Sequence, residues 1–329
     1  LAGYETGVRV GKAMGGTPAG VHDIGTWGAV GVAAAVARLL APADVDAARR
    51  AIDLAASAVL LTDAATVFAG RTGGHAFLGA SIQLGASLGS AAVAGLEPLE
   101  GALDHHFAGL AARGWDGRHL RNVGGYWPAY EVLAGYVKTH PTCAHLHGVN
   151  DAVADLLAVG RPDGKPLRDE EVERIDVRTF SAAAAFDSVA DDELAARFSV
   201  PTSVAVALVT GRLDETTLTD ETVRSEAVQD LASRVTVTHD AALDKGYPDG
   251  RPAVVRLVLR DGTELEARAD RPRGDAGRDL SREELQRKAT RLLASRFGSS
   301  GDDVLRAIHA LADGGSPRDV GRSLREAAR

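Results

Sequence analysis

The feature that most constrains this chain is a run of glycines inside one long apolar stretch. Residues 73–95 read GGHAFLGASIQLGASLGSAAVAG, with glycines at 74, 79, 85 and 89. As a helix the stretch carries a propensity cost, since each interior glycine is about 1 kcal/mol worse than alanine. Small residues offset that cost where they let two helix backbones approach closely. The predicted architecture is therefore helix packed on helix with little side-chain bulk between. Composition agrees, because hydrophobic residues make up 45% of the chain and aromatics only 5%. The same glycines fit a membrane pairing motif poorly, since the flanks are those of a soluble helix.

A chain of 329 residues suits two domains. The net charge of −8 argues against nucleic acid or an anionic membrane as partner, both of which need a basic face. An acidic substrate held by a few local cations stays open. Cys143 is the sole cysteine, so there is no intrachain disulfide and no Cys-based structural zinc. This fits a reducing cytoplasm, the expected location. The apolar residues 30–40 are broken by Arg38 and are too short to span a bilayer.

Helical periodicity predicts helices over 1–11, 28–40, 45–61 and 75–93, all in an Ala-rich first part. Composition shifts after about Asp151. Residues 171–180 alternate like a half-buried strand, and 235–239 form a second, short one. Residues 253–260 and 263–269 flank Asp261-Gly262, a hairpin signal. With helices at 199–210 and 221–233, this block reads as α+β around a small antiparallel sheet. A polar linker at 270–279 leads to Ser281-Arg-Glu-Glu284, a capping box opening a helix to about Phe297, and a helical pair at 302–312 and 317–328 follows.

Three segments could carry chemistry. In 21–28 (VHDIGTWG), His22 precedes Thr26, which can cap the next helix and help its N-terminus hold a carboxylate. His22 could hydrogen-bond that anion or move a proton. In 138–147 (KTHPTCAHLH), three histidines and Cys143 lie within eight residues of one another. The spacing matches no standard zinc pattern, and no partner for a cysteine nucleophile is evident. A cationic Lys138 with imidazoles binding carboxylates is the more natural role. In 71–75, Arg71 stands in a glycine turn ahead of a helix N-terminus. Each pattern also occurs as an ordinary loop or turn.

Taken in order, these segments resemble the MmgE/PrpD family. Residues 1–11 look like its IAGYEVxxRIG helix, 22–28 like its FHPTGTWG loop, and 138–147 like KPYPSCRHTH. Asp151-Ala152 follows as in the family's DA, and Arg197-Phe-Ser-Val-Pro201 resembles QFSLPY. The DG hairpin, the turn at 272–274 and Ser281-xx-Glu-Leu285-xx-Lys288 resemble the C-terminal signature. The family includes 2-methylcitrate dehydratase, cis-aconitate decarboxylase and iminodisuccinate epimerase.

The resemblance implies a mainly α fold: an all-helical domain beginning with residues 1–150, an inserted smaller α+β lid over 151–275, and C-terminal helices over 276–329 that return to the helical domain. It implies a homodimer, no metal, no cofactor, and a site between helical domain and lid. By motif, His22 and Lys138 fall on catalytic positions. Thr26, Arg71, Thr72, His75 and His147 are implied substrate neighbours. The implied reaction is proton abstraction next to a carboxylate of a small polycarboxylate, with dehydration as its general outcome and decarboxylation or epimerisation as alternatives.

Three departures qualify this. Thr72 stands where the family has a lysine three residues before His75, with Arg71 beside it. Thr202 stands where QFSLPY has tyrosine. The family's acidic, His-bearing motif upstream of the first helix is not in the sequence. The expectation is a chain lacking N-terminal helices, with a second chain as one possible source of them. A catalytically incomplete subunit or scaffold is the rival reading.

Overall fold

The computed structural model describes residues 1–121 and 130–329, with Ile24 described by its backbone alone. The fold is mainly helical with small sheets. The chain forms two compact units, Leu1–Gly135 and Tyr136–Arg329.

The first unit contains helices α1 (Ala2–Ala13), α2 (Trp27–Leu40), α3 (Val45–Ser57), α4 (Ala64–Phe68), α5 (Gly73–Val93) and α6 (Ala108–Ala111) and a two-strand bridge of β1 (Val21–His22) and β2 (Thr62–Asp63). The core is Val10, Met14, Val30 and Phe107 set among alanines such as Ala33, Ala37, Ala51 and Ala55. Glycines bring backbones into contact. A Cβ on Gly85 would stand 2.5 Å from the Ala29 carbonyl oxygen, and one on Gly31 2.7 Å from that of Gly3. So α2 lies against α5 on one side and α1 on the other. The glycines predicted to permit close packing do so at 85 and 89. At Gly79 a Cβ would meet nothing within 4 Å, and its neighbours Leu78 and Ile82 are exposed. Among the described residues, the helix long and apolar enough to cross a membrane is α5, not residues 30–40.

The second unit is built on a mixed sheet in the order β4-β3-β5-β6. Its strands are β3 (Val172–Thr179), β4 (Val235–His239), β5 (Ala253–Leu259) and β6 (Glu264–Ala269). The expectation of an antiparallel sheet holds for β3–β5 and β5–β6 but fails for β3–β4, which run parallel with Ile175 opposite Val235. The reason is the long connection between them. It contains α8 (Ser181–Ala184), α9 (Glu193–Ala196), α10 (Val200–Thr210), α11 (Asp220–Val223) and α12 (Glu226–Ser233) and is long enough for a crossover. The single helix expected over 221–233 is two, because Ser225 stops α11 and caps α12 by accepting from the Val228 N–H. Both α10 and α7 (His147–Val159) pack against the sheet and each other around Leu146, Val149, Ile175, Val204 and Leu257. The capping box at Ser281 opens α13 (Arg282–Phe297), followed by α14 (Gly301–Ala310) and α15 (Pro317–Ala327).

Candidate functional site

In the first unit, His22 lies on β1 opposite Thr62, whose hydroxyl donates to the His22 carbonyl at 2.9 Å. Gly25 is needed here, since a Cβ on it would meet the Thr62 methyl at 2.5 Å. The His22 ring packs edge-on against Phe68, and its Nδ1 lies 3.1 Å from the Asp23 carboxylate. That hydrogen bond, outweighing partial burial, holds the Asp23 carboxyl below its ordinary range. An imidazole oriented by a carboxylate is a common acid–base arrangement.

Thr26 precedes α2 but does not cap it with its side chain. Its backbone (φ −81°, ψ −88°) is outside the extended region from which an N-cap hydroxyl reaches the next turn. The buried hydroxyl donates instead to the Asp23 carbonyl at 2.9 Å and ties the His22 loop. Farther along, the Arg71 N–H returns to the Thr66 carbonyl and closes the turn after α4. Thr72 starts α5 with helical backbone and no side-chain cap, and His75 Nδ1 lies 3.1 Å from the Thr72 carbonyl. Arg71, Thr72 and His75 are exposed. These five predicted residues share one unit, whereas Lys138 and His147 belong to the other.

In the second unit the exposed Lys138 donates from Nζ to the Thr142 carbonyl at 3.0 Å. The Lys138 carbonyl in turn accepts from Lys288 Nζ. His140 stands between two acceptors, Asp151 Oδ1 at 2.8 Å and the Leu213 carbonyl at 3.4 Å. The second Asp151 oxygen accepts from the Arg273 N–H at 2.6 Å. Burial pushes the Asp151 carboxyl up, but His140, the Arg273 amide and Arg278 together hold it below its ordinary range.

His147 is fully buried at the start of α7. Its ring meets His140 and Tyr136 edge-on, at 5.4 and 6.1 Å between centroids. Neither ring nitrogen has a hydrogen-bond partner among the described residues. Burial first, then the nearby charges of His140 and Lys138, lower its pKa to about 3, against weaker opposite pulls from Asp151 and Thr142. His147 is therefore a neutral imidazole at pH 7. The following Gly148 lets α7 abut the chain before β5, since a Cβ there would stand 1.9 Å from the Arg251 carbonyl oxygen.

The other residues of the motif diverge. His145 lies among the rings of Phe180, Phe186 and Tyr247. Burial pushes the Cys143 thiol up, away from the thiolate a nucleophile needs. Among the described residues, no three His, Cys, Asp or Glu side chains converge on a metal position.

Several residues beside this group had no signal in the sequence. The Arg251 guanidinium lies 5.1 Å over the Tyr136 ring and 3.6 Å from the Asp275 carboxylate. Asp275 sits in what reads as a polar linker. The Asp151–His140 pair spans eleven positions and a turn, and only the tertiary fold joins it. Thr202 is fully buried in the first turn of α10, accepting from the Ala190 N–H at 2.8 Å and from the Ser199 hydroxyl at 3.0 Å. That position is structural here.

The second unit thus offers one exposed ammonium, one imidazole paired with a carboxylate and one neutral imidazole, a set suited to carboxylate recognition. The model of the MmgE/PrpD C-terminal domain matches residues 140–313, more than half of the chain. That match begins two residues beyond Lys138 and runs past α14. No curated protein matches the chain. Motif order and this match agree, and the chain belongs to the MmgE/PrpD family.

Proposed function

We propose that this protein is a lyase that abstracts a proton next to a carboxylate of a small polycarboxylate, most simply as a dehydratase of the 2-methylcitrate dehydratase kind. The family is generally one of enzymes, and that much follows from membership. The observation that carries the finer reading is the grouping of Lys138, His140 and His147. In this reading Lys138 holds a substrate carboxylate and stabilises the enolate-like charge that develops when the proton leaves. His22, oriented by Asp23, transfers the proton. Arg71, Thr72 and His75 serve substrate binding, Thr26 holds the His22 loop that presents the base, and no cofactor takes part. Residues 151–275 act as the lid of the scaffold, residues 1–150 and 276–329 as its helical domain, and the protein works as a cytoplasmic homodimer.

The enolate-like charge belongs to three reactions. Losing water after the proton makes a dehydratase and regaining a proton on the other face an epimerase, while a decarboxylase reaches the same kind of charge by losing CO2 and then takes up a proton. Incubating the purified protein with 2-methylcitrate, cis-aconitate and related acids, and following products by NMR, separates them. Release of water to give an alkene supports the dehydratase reading, while loss of CO2 or inversion replaces it with the corresponding alternative. Absence of every product from a folded protein contradicts the enzyme reading.

A second reading is a catalytically incomplete subunit that needs a partner chain. The buried, hydrogen-bonded Thr202 favours it, because that position offers substrate no hydroxyl. Turnover that arises only when a second polypeptide is added would support it.

A further inference from the structure

Two hollows of the second unit share Thr139, Arg273 and Arg291 and enclose about 430 and 200 Å³. The larger is lined by His140 and Asp151 of the group described above, and its Arg212, Arg273 and Arg291 are balanced by Asp151, Asp155 and Asp214. In the smaller, Arg273, Arg287, Lys288 and Arg291 face one carboxylate, Glu284. Glu284 is already engaged by Arg273 and by the Ser281 N–H. Arg291 is paired with Glu215 at 2.5 Å. Arg287 and Lys288 have no carboxylate within ion-pair distance among the described residues. The Lys288 ammonium is pushed down by burial and by its neighbours Arg291 and Lys138, with Glu215 pulling the other way.

A second observation points the same way. Thr139 Oγ1, on the residue lining both hollows, is buried and has no hydrogen-bond partner among the described residues. Such atoms are costly unless something completes them. Unneutralised cations around a concavity with an unused hydroxyl in its wall form a recognition surface for an anion.

We propose that the smaller hollow, which His140 and Asp151 do not line, is a binding site for a small, multiply charged oxyanion beside the group that binds substrate in the function proposed above. Arg287 and Lys288 neutralise the ligand, and the Thr139 hydroxyl donates to it. Lys288 also holds the Lys138 carbonyl, so the site stands one side chain away from Lys138.

The test is calorimetric titration of the full chain with inorganic pyrophosphate and, separately, citrate, each against sodium chloride of equal ionic strength. Binding of either probe is expected, and the probe that binds identifies the ligand as phosphate-like or carboxylate-like. Arg287→Gln and Thr139→Val should each weaken binding at least tenfold, and Lys138→Met should leave it within about twofold. Arg287 is exposed and unpaired, so its variant should melt like the wild type. Thr139→Val removes an unpartnered hydroxyl and should melt no lower. No binding above the salt control overturns the proposal. So does binding unchanged in both Arg287→Gln and Thr139→Val. Binding lost only in Lys138→Met would place the anion at the proposed catalytic group and overturn it too.

Discussion

Burial without hydrogen bonds makes His147 acid-sensitive. Its pKa falls from an ordinary 6.5 to about 3, so the folded state binds its proton more weakly than the unfolded chain does. Its contribution to stability is therefore complete above pH 6.5 and is lost as pH falls toward 3. Between pH 7 and 5 the unfolding free energy should drop by ~2 kcal/mol on this account. Urea titrations at the two pH values should show that drop in the wild type and little of it in His147→Leu. Asp151 acts lower on the scale. Its carboxyl is depressed, so its contribution is present above its ordinary value and lost as pH falls below it. Replacing it by asparagine removes the carboxylate that accepts from both His140 and the Arg273 N–H and should cost about 1–3 kcal/mol at pH 7, read by the same titration. Local sequence named Lys138 and the histidines around it as a group. It could not tell that His140 pairs with Asp151, that His147 is the neutral one, and that His145 is turned toward Phe180 and Tyr247. Those differences come from Asp151, Leu213 and the aromatic rings, all brought in by tertiary folding.

At the scale of elements, α5 gives a paired prediction. Gly85→Ala and Gly89→Ala place a methyl group against the backbone of α2 and should destabilise despite alanine's better propensity. A loss of more than ~1 kcal/mol in each is expected from overpacking. Gly79→Ala meets nothing and should stabilise by about 0.5–1 kcal/mol. Thermal melts of the three variants check this, and a uniform gain would refute the close α2–α5 contact. Glycine spacing made that helix legible, as alternation made β3 legible and Asp261-Gly262 the β5–β6 hairpin. Pairing direction was not legible in the same way. The parallel β3–β4 pair depends on where the crossover of α8 to α12 returns the chain, a long-range property with no local mark. Thr26 teaches the same lesson in a loop. Its residue type and place suit a cap, but the tight turn after His22 takes its hydroxyl for the Asp23 carbonyl.

For the whole molecule, a small-residue core leaves large apolar side chains outside it. Leu78 and Ile82 on α5 are about half exposed, at 46% and 48%. Exposed apolar patches favour association. Light scattering of the purified chain should give a dimer or larger species, and a clean monomer would count against the homodimer proposed above. Family membership was legible from the order of motifs across the chain. The chemistry was legible only in part, because Thr72 and Thr202 depart from the motifs and several polar residues near Lys138 carry no sequence signature.

Breaking or making a carbon–hydrogen bond next to a carboxylate is common to all three reactions, so solvent exchange tests it most directly. The protein would be incubated in D2O with 2-methylcitrate and with cis-aconitate, and deuterium at the carbon beside each carboxylate followed by proton NMR. The account predicts exchange or turnover with at least one of these acids, reduced at least 100-fold in both Lys138→Met and His22→Asn, a loss of the size expected when a general base or its electrostatic partner is removed. A folded wild-type protein that exchanges no proton, or variants that exchange as fast as the wild type, would contradict it.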